Sequence, residues 1–283
     1  MVAQPFTQRE LDQKVVRMVG AARERFDIPE GCDGKTACGK VGLKLQRGPL
    51  GPSTDGVLAG ENVVVNRALR WAPRIQFTIF HEIFHYLLEE DGEIIEYYTD
   101  LLRSDDEAYR AAIERCCHQG AAEFLMPQAR VREAISSEGF SVDLVELLAE
   151  RHGASIVASA IQLAHCAPVG CYVVICSHGR APKSSPSHYG LFVEYAAAPS
   201  RVRYTLGRFS PIHSDNLLAQ AWRLGSRATG TSYVPFRSAV SKPLEKRMQC
   251  HCDAKRLGNR VLGLLSLEDL VPPGQLTLSL DGV

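Results

Sequence analysis

The segment from residue 73 to residue 90 constrains the fold more than any other part of the sequence. It begins with a proline, which suits the first turn of a helix, and it is apolar over most of its length. Thr78, His81, Glu82 and His85 fall on one strip of that helix. A helix this apolar must be buried, and a buried polar strip must be paired or face a cavity. The sequence therefore predicts a core helix that presents a polar site.

The polar strip contains the motif His81-Glu82-Ile83-Phe84-His85. Two histidines four positions apart lie on one helix face, so both imidazoles can bind one metal ion. Glu82 lies about 100° around the helix, where it can act as general base toward a water molecule that the metal activates. The spacing is typical of zinc hydrolases. Zn²⁺ is the favoured metal, and Mn²⁺ stays open as an alternative.

A catalytic site of this kind needs a third protein ligand. No histidine lies ten positions after His81, which excludes the metzincin pattern. The ligand is expected among acidic residues of the following helices, and spacing alone does not choose among them. His118 shares a helix face with Glu114 and is an alternative ligand or a residue that orients one. The acidic candidates are Glu93, Glu96, Asp100, Asp105, Asp106, Glu107, Glu114 and Glu123.

The hydrophobic pattern up to Pro127 predicts a helical unit with a small sheet. Thr7 can cap the first helix through its hydroxyl, and Pro127 ends the last helix because proline has no N–H donor. Strand patterns lie between the first helix and the apolar one. The helices are expected at residues 7–26, 73–90, 93–103 and 105–126, and the strands at 40–47 and within a hairpin at 57–66.

After Pro127 the pattern changes twice. Residues 128–167 predict three short helices with a glycine turn, which is typical of a helix-turn-helix unit. Residues 168–283 predict mixed strands with one helix near 214–225, which is typical of a sensor-like α/β domain. The expected strands are 172–175, 191–195 and 202–206, and residues 180–188 have the composition of a mobile loop.

The predicted fold class is therefore α+β with several domains. A chain of 283 residues is long enough for more than one core. The predicted zincin-like metallopeptidase domain occupies residues 1–127, the helix-turn-helix domain residues 128–167, and the C-terminal α/β domain residues 168–283.

The charges of the chain exclude a protein that coats nucleic acid. Lysine and arginine total 32, and aspartate and glutamate also total 32. Arg130, Arg132 and Arg151 are outnumbered by acids in the helix-turn-helix region, which disfavours direct DNA binding through phosphates. No apolar run approaches the roughly 20 residues of a membrane span, and the N-terminal segment lacks a secretion signal. We expect a cytoplasmic protein without a membrane partner.

The nine cysteines are odd in number, and no two have the spacing Cys-x-x-Cys. This predicts thiols in a reducing compartment rather than disulfides or a zinc ribbon. The cluster Cys250-His251-Cys252 could bind a metal or sense oxidants, but adjacent residues of a strand point to opposite faces.

Arginines are frequent in the C-terminal domain. They could contact an anionic small molecule or signal ligand, or they could simply be solvated. The domain is therefore a candidate ligand-binding domain. The arginines are Arg201, Arg203, Arg208, Arg223, Arg227 and Arg237.

Two segments resemble the ImmA/IrrE family of metallopeptidases. Residues 113–127, with an acid, a run of small residues and a final Leu-Met-Pro, resemble the second signature of the family. Residues 232–238 resemble a stretch in the C-terminal domain of its deinococcal radiation-response regulator. The family has an asparagine where this chain has His118.

The resemblance implies roles for particular residues. It implies that His81, His85 and Glu114 are the metal ligands and that Glu82 is the catalytic base. A donor to the oxyanion is also expected near the metal. The candidate donors are Tyr97, Tyr98 and His118.

The resemblance also implies a function. It implies site-specific cleavage of a helix-turn-helix (DdrO-like) transcriptional repressor, which induces the DNA-damage and radiation response, and a GAF-like C-terminal domain. The alternative is a DNA- or partner-binding transcriptional regulator with a non-catalytic metal site. A third hypothesis is that a ligand of the C-terminal domain controls the peptidase.

Overall fold

The computed structural model describes residues 6–103, 105–181, 189–199, 204–238 and 245–267. Contacts divide the chain into two compact units, Met1–Pro127 with Glu150–Ser155 and Gln128–Ala149 with Ile156–Val283. The three-domain division at Pro127 and residue 167 stays a prediction. No helix within the described ranges has the length and apolar character needed to cross a bilayer.

The first unit combines five helices with a three-stranded sheet in its described part. The helices are Gln8–Arg25 (α1), Gly34–Val41 (α2), Ala72–Asp91 (α3), Glu93–Leu101 (α4) and Asp106–Leu125 (α5). The strands are Lys44–Gly48 (β1), Gly56–Ala59 (β2) and Asn62–Asn66 (β3). β3 lies between β1, which runs parallel to it, and β2, which runs antiparallel. β2 is therefore an edge strand of this sheet.

Helix α1 begins at the predicted cap. The Thr7 hydroxyl accepts the N–H of Glu10 at 3.3 Å, and the Glu10 carboxylate accepts the N–H of Thr7 at 2.6 Å. This reciprocal pair satisfies two N–H groups that a helix start leaves open. Further along α1, the nearly buried Lys14 ammonium donates to Asp91 at 3.1 Å and also pairs with Glu93. These contacts tie α1 to the junction between α3 and α4.

The predicted strand at 40–47 is wrong in its first part. Residues 40 and 41 belong to α2, which the sequence did not predict, and the strand begins at Lys44. Asp33 starts α2 because its carboxylate accepts the N–H of Thr36 at 3.0 Å. Gly42 ends α2 with φ 88°, a left-handed conformation that glycine adopts without strain. The capping residues therefore decide that residues 40 and 41 are helical, although apolar and polar residues alternate there.

Helix α3 confirms the predicted apolar helix within one residue at each end. Ile79, Phe80, Ile83 and Phe84 are almost completely buried, as its composition requires. Helices α4 and α5 also follow their predicted ranges closely, and strands β2 and β3 form the predicted hairpin. The elements around the motif were therefore predictable from local patterns.

Strands dominate the later part of the chain. The three predicted short helices are Gln128–Glu138 (α6), Val142–His152 (α7) and Ile156–Cys166 (α8), and the predicted later helix is Leu217–Leu224 (α9). The strands are Cys171–Arg180 (β4), Tyr189–Ala197 (β5), Tyr204–Thr205 (β6), Arg227–Ser238 (β7), Glu245–Leu257 (β8) and Arg260–Ser266 (β9). They form one sheet in the order β5-β4-β9-β8-β7-β6 with antiparallel pairing throughout.

The sequence identified only part of this sheet. Strands β4 and β5 contain the predicted segments 172–175 and 191–195, whereas β6 keeps two residues of the predicted 202–206. Strands β7, β8 and β9 were not predicted individually, because Pro235 interrupts β7 and charged residues are spread along β8. Residues 182–188 of the predicted loop and residues 202–203 lie outside the described residues.

Asp253 of β8 anchors the start of α7 within the second unit. Asp253 is 5% exposed. It accepts the N–H of Val142 at 2.8 Å and two bonds from the Arg227 guanidinium at 2.7 and 2.8 Å. Arg227 also donates to Asp143 at 2.7 Å. A buried carboxylate with three donors both stabilises the helix N-terminus and neutralises the arginine.

Replacing Asp253 by alanine is expected to destabilise the protein by about 3 kcal/mol, because the Val142 N–H and the Arg227 guanidinium lose their acceptor. The matched control is Asp215→Ala, which removes an exposed partner of Arg247 at 3.0 Å and should lower the free energy of unfolding far less, because solvent screens an exposed ion pair. Urea unfolding of both variants measures the difference. Equal losses would show that the Asp253 cluster is no stronger than a surface pair.

Candidate metal centre

Two helices bring three potential ligands to one point. His81 and His85 extend from α3 one turn apart, and Glu114 extends from α5. The two Nε2 atoms are 3.2 Å apart. The Glu114 carboxylate lies 3.1 Å from His81 Nε2 and 3.4 Å from His85 Nε2. Within the described residues these three side chains form a group whose ligand atoms all lie within 4.8 Å of one another.

Close packing between α3 and α5 lets these three side chains converge. The ring of Phe84 on α3 lies directly over Gly120 on α5, where a Cβ atom would come within 2.1 Å of the ring. Cys117 and Ala121, next to this contact on α5, are completely buried. Small side chains on α5 therefore let the two helices approach closely enough for Glu114 to reach the histidines.

Burial keeps both imidazoles neutral. It lowers the pKa of His81 to about 3, with smaller contributions from the nearby His118 and His85. Burial also lowers the pKa of His85, although the Glu114 carboxylate opposes this effect. A neutral imidazole has a free lone pair, which is the form that binds metals. Two neutral imidazoles and one carboxylate at these distances fit a divalent ion such as Zn²⁺.

Glu82 is buried beside the three potential ligands. Glu82 follows His81 on α3 and is 6% exposed. Its carboxylate accepts a hydrogen bond from the backbone N–H of Leu58 on β2. Burial, reinforced by the negative charge of Glu114, raises the pKa of Glu82 to about 7, and the Leu58 bond opposes that rise only in part. A carboxyl group with a pKa near neutral is well suited to take up and release a proton at neutral pH.

A cleft of about 530 Å³ contains these side chains. The turn before β2 and strand β2 itself form one wall, and α3 and α5 contribute the other residues. The lining residues are Ser53, Thr54, Asp55, Gly56, Val57, Leu58, Phe77, Thr78, His81, Glu82, His85, Glu89, Glu114 and His118.

Strand β2 turns peptide groups toward the side away from β3. The Asn66 N–H donates to the Asp55 carbonyl at 2.7 Å, and the register places Val57 opposite Val64. Hydrogen-bonded pairs alternate along an antiparallel ladder, so Asp55 and Val57 face β3. Gly56 and Leu58 alternate with Asp55 and Val57 along the strand, so they direct their N–H and C=O groups away from β3. The hydrogen bond from the Leu58 N–H to Glu82 agrees with this.

The structure selects among the sequence candidates for the third ligand. Of the eight acids, Glu114 is the one in the described ligand group. Glu93 pairs with Lys14, Asp100 with Arg103, and Asp105 caps α5 through the Ala108 N–H. The assignment of His81, His85 and Glu114 as metal ligands, and of Glu82 as catalytic base, stays a prediction.

Two of the three candidate oxyanion donors lie away from the cleft. Tyr97 donates its hydroxyl to the Phe6 carbonyl at 3.2 Å. Tyr98 is buried, and its hydroxyl interacts with Cys116. His118 does line the cleft, next to His81 and Phe77.

Sequence patterns gave no role to several cleft residues. The wall formed by Ser53, Thr54 and Gly56 carries no chemical motif, and its proximity to α3 depends on the sheet. The one sequence signal for this wall was the glycine at position 56. A Cβ atom on Gly56 would lie 2.4 Å from Thr78 and 3.0 Å from Glu82, so only glycine lets β2 come this close to the motif.

The remaining sequence candidates show no metal group in the described part of the chain. Cys250 and Cys252 are buried on β8 while His251 is half-buried, and no disulfide joins the described cysteines. Arg227 is held by Asp253 and Asp143. Arg208 lies over the ring of Phe209, 4.8 Å from its centroid. Arg201, Arg203 and the side chain of Arg237 lie outside the described residues.

Replacing Gly120 by alanine is expected to weaken metal binding and lower stability together. The new methyl group would meet the Phe84 ring, so α5 must move away from α3 and take Glu114 with it. Metal affinity, measured by competition with a chelating dye, and the free energy of unfolding are the two readouts.

The control for this prediction is Gly39→Ala on α2, where no atom lies within 4 Å of the new Cβ and alanine should be neutral or stabilising by about 1 kcal/mol. The double variant Gly120→Ala/Phe84→Leu should recover part of the metal affinity. Full metal affinity in the single Gly120 variant would contradict the packing explanation.

The contribution of Glu82 to the stability of the metal-free protein is expected to disappear as the pH rises from about 4.5 to about 7. The pKa of Glu82 is about 7 in the folded chain against an ordinary value of 4.5. The folded state therefore binds this proton more tightly, and that stabilisation disappears as the group ionises. Glu82→Gln removes the titration, so its free energy of unfolding relative to wild type should rise over this interval and then level off.

Urea unfolding in the presence of EDTA, repeated between about pH 4 and about pH 8, measures this difference. Glu96→Gln, an exposed substitution on α4, is the control and should keep a constant offset from wild type. A constant offset for Glu82→Gln as well would mean that the buried carboxyl has an ordinary pKa.

Comparison with known proteins identifies the region that contains this site. Residues 38–164 match the model of the peptidase M78 family, described as the IrrE N-terminal-like domain. The chain is 29% identical over 227 residues to the radiation response metalloprotease IrrE of Deinococcus radiodurans, covering 76% of this chain and 66% of that protein. It is 28% identical over 228 residues to the protein of the same name from Deinococcus deserti, covering 79% and 78%.

A solved structure shares the fold over nearly the full length. A Mycobacterium tuberculosis transcriptional regulator superimposes with a TM-score of 0.58 at 14% identity, covering 97% of this chain and 93% of that one. The sequence matches support a metallopeptidase whose chain has a sheet-rich C-terminal region. Residues 38–164 include both the motif on α3 and Glu114 on α5, so all three potential ligands lie in the region that resembles the IrrE N-terminal-like domain of the peptidase M78 family.

Proposed function

We propose that this protein is a metal-dependent, site-specific endopeptidase. The observation that carries the proposal is the convergence of two neutral imidazoles and one carboxylate beside a buried glutamate in an open cleft. The printed names of the two Deinococcus relatives, both metalloproteases, agree with it.

His81, His85 and Glu114 would hold the divalent ion, with Zn²⁺ as the favoured metal and Mn²⁺ as the alternative. When bound, such an ion acts as a Lewis acid that polarises a water molecule and a peptide carbonyl. Glu82 accepts the proton of the attacking water and then transfers it to the leaving amide nitrogen. The product is one new carboxyl group and one new amino group.

Strand β2 provides a place for the substrate backbone. Gly56 and Leu58 direct peptide groups toward the cleft. The Leu58 N–H donates to Glu82, and an extended peptide can pair with the remaining outward groups of this edge. Because Gly56 has no side chain, β2 packs close to Thr78 and Glu82 of α3, which places this edge beside the proposed catalytic base. The scissile bond would then lie between β2 and the ligands on α3. This arrangement favours a peptide bound as an extended strand.

The substrate we propose is a helix-turn-helix (DdrO-like) transcriptional repressor. Its cleavage would induce the DNA-damage and radiation response, as the printed name of the relatives suggests. We further propose that helices α6–α8 form a helix-turn-helix unit and that the antiparallel sheet with α9 is a GAF-like domain that receives a small-molecule or other signal.

The alternative is a DNA- or partner-binding regulator with a non-catalytic metal site. The described contacts give direct DNA binding little support. Arg130, on the first helix of the helix-turn-helix region, pairs with Glu133 at 3.1 Å, and Arg132 donates to Gln128 at 2.7 Å. Arginines that are engaged by neighbouring side chains neutralise phosphates less effectively.

Replacing Glu82 by glutamine is expected to reduce cleavage by about 10²- to 10⁴-fold, because the amide cannot accept the proton of water. Metal content should stay unchanged, since Glu82 is outside the ligand group. The assay incubates the protein with a helix-turn-helix repressor encoded in the same genome, with added Zn²⁺ or Mn²⁺, and identifies the products by mass spectrometry.

Glu96→Gln is the matched control, because it makes the same chemical change at an exposed position outside the cleft. It should cleave at the wild-type rate. Undiminished cleavage by Glu82→Gln would reject the mechanism. Repressor left intact by wild type under every metal, together with a DNA mobility shift that Glu82→Gln retains, would favour the alternative regulator.

A further inference from the structure

His118 is an imidazole of the cleft that the ligand group does not use. It lies on α5 one turn after Glu114, and its ring is exposed to the cleft. The described ligand group contains His81, His85 and Glu114 without it. Because His118 lies beside the proposed reaction centre, it is a candidate for a role other than metal binding.

The ring of His118 is held in place by two aromatic neighbours. It stacks on Phe77 with the centroids 5.7 Å apart and the planes at 27°. Its centroid is 4.8 Å from that of His81, with the planes at 58°. A side chain fixed by packing loses less freedom when it donates a hydrogen bond to a substrate, so its orientation is prepared in advance.

The structure disfavours the role of orienting His81. An orienting residue accepts or donates a hydrogen bond at the ring nitrogen that faces away from the metal. In His81 that atom is Nδ1, which is buried and has no hydrogen-bond partner among the described residues. His118 therefore contacts His81 through the ring alone.

Other potential donors are already engaged. The Thr78 hydroxyl donates to the Arg74 carbonyl of its own helix at 2.8 Å. Tyr97 donates to the Phe6 carbonyl, and Tyr98 is buried against Cys116. Among the three donors considered from the sequence, His118 is the one placed where a bound peptide would pass.

We propose that His118 is a catalytic residue that donates a ring N–H to the carbonyl oxygen of the scissile peptide bond. The hydrogen bond strengthens as that oxygen gains negative charge during attack by water, so it stabilises the transition state more than the bound substrate. The proposal rests on the endopeptidase function proposed above.

The test replaces His118 by leucine, which has similar bulk and no donor, and by asparagine, which keeps an N–H donor. We expect His118→Leu to lower kcat by about 10²-fold with little change in KM, as for loss of one oxyanion donor. His118→Asn should retain most of the wild-type kcat. Arg115→Leu, on the exposed side of the same helix and outside the cleft, should match wild type.

Two measurements separate this role from a structural one. Zinc content and affinity should be the same in wild type, His118→Leu and His118→Asn. A phosphinic peptide with the cleaved sequence carries charged oxygens where the carbonyl oxygen would be, and calorimetry should show that it binds His118→Leu at least about 10-fold more weakly than wild type. The uncleaved peptide should bind Glu82→Gln and Glu82→Gln/His118→Leu equally well.

Several outcomes would overturn the proposal. Loss of zinc from His118→Leu would make His118 a ligand, and a raised KM with unchanged kcat would make it a contact of the ground state only. Wild-type cleavage together with equally fast cleavage by His118→Leu would reject the role of His118 and leave the endopeptidase function standing. Absence of any wild-type cleavage would reject both.

Discussion

The contact between Phe84 of α3 and Gly120 of α5 brings together the two helices that carry the three potential metal ligands. The three potential ligands are divided between two helices, so their distances depend on how closely the helices pack. A glycine under an aromatic ring allows an approach that even one methyl group would prevent. The geometry of 3.1–3.4 Å between Glu114 and the two histidines therefore depends on a small residue that takes no part in the chemistry.

Burial has opposite consequences for stability and for chemistry at this site. It raises the pKa of Glu82 and lowers the pKa of His81 and His85, because a low-dielectric interior disfavours every charged form. The site is thus unfavourable for the isolated chain. The same desolvation leaves two imidazoles with free lone pairs and a carboxyl group with a pKa near 7. A divalent cation would compensate the charge of the buried Glu82 carboxylate and of the neighbouring, exposed Glu114, so its binding and the stability of the first unit are coupled.

Local sequence patterns predicted the helix that carries the motif, but not the surroundings of that helix. The apolar run and Pro73 defined α3, and Thr7 defined the start of α1, since each depends on neighbouring residues only. Spacing could not select Glu114 from eight acids, because that choice depends on the packing of α5 against α3. The contribution of β2 to the cleft wall could not be predicted from the sequence either, because Gly56 contacts Thr78 only after the sheet has formed. Strands β7 and β8 were missed because Pro235 and scattered charges hide their pattern, and pairing with neighbouring strands makes them strands.

The edge strand limits what kind of protein segment the cleft can accept. A peptide that pairs with Gly56 and Leu58 must offer backbone N–H and C=O groups that are not already hydrogen-bonded. Residues inside a helix have both groups engaged in the helix itself. A helix-turn-helix repressor could therefore be bound only through a connecting segment, or through a helix that first unwinds. Cleavage would then depend on the conformation of the repressor as well as on its sequence. The edge of β2, which reaches the motif because residue 56 is glycine, is the feature that gives this selectivity.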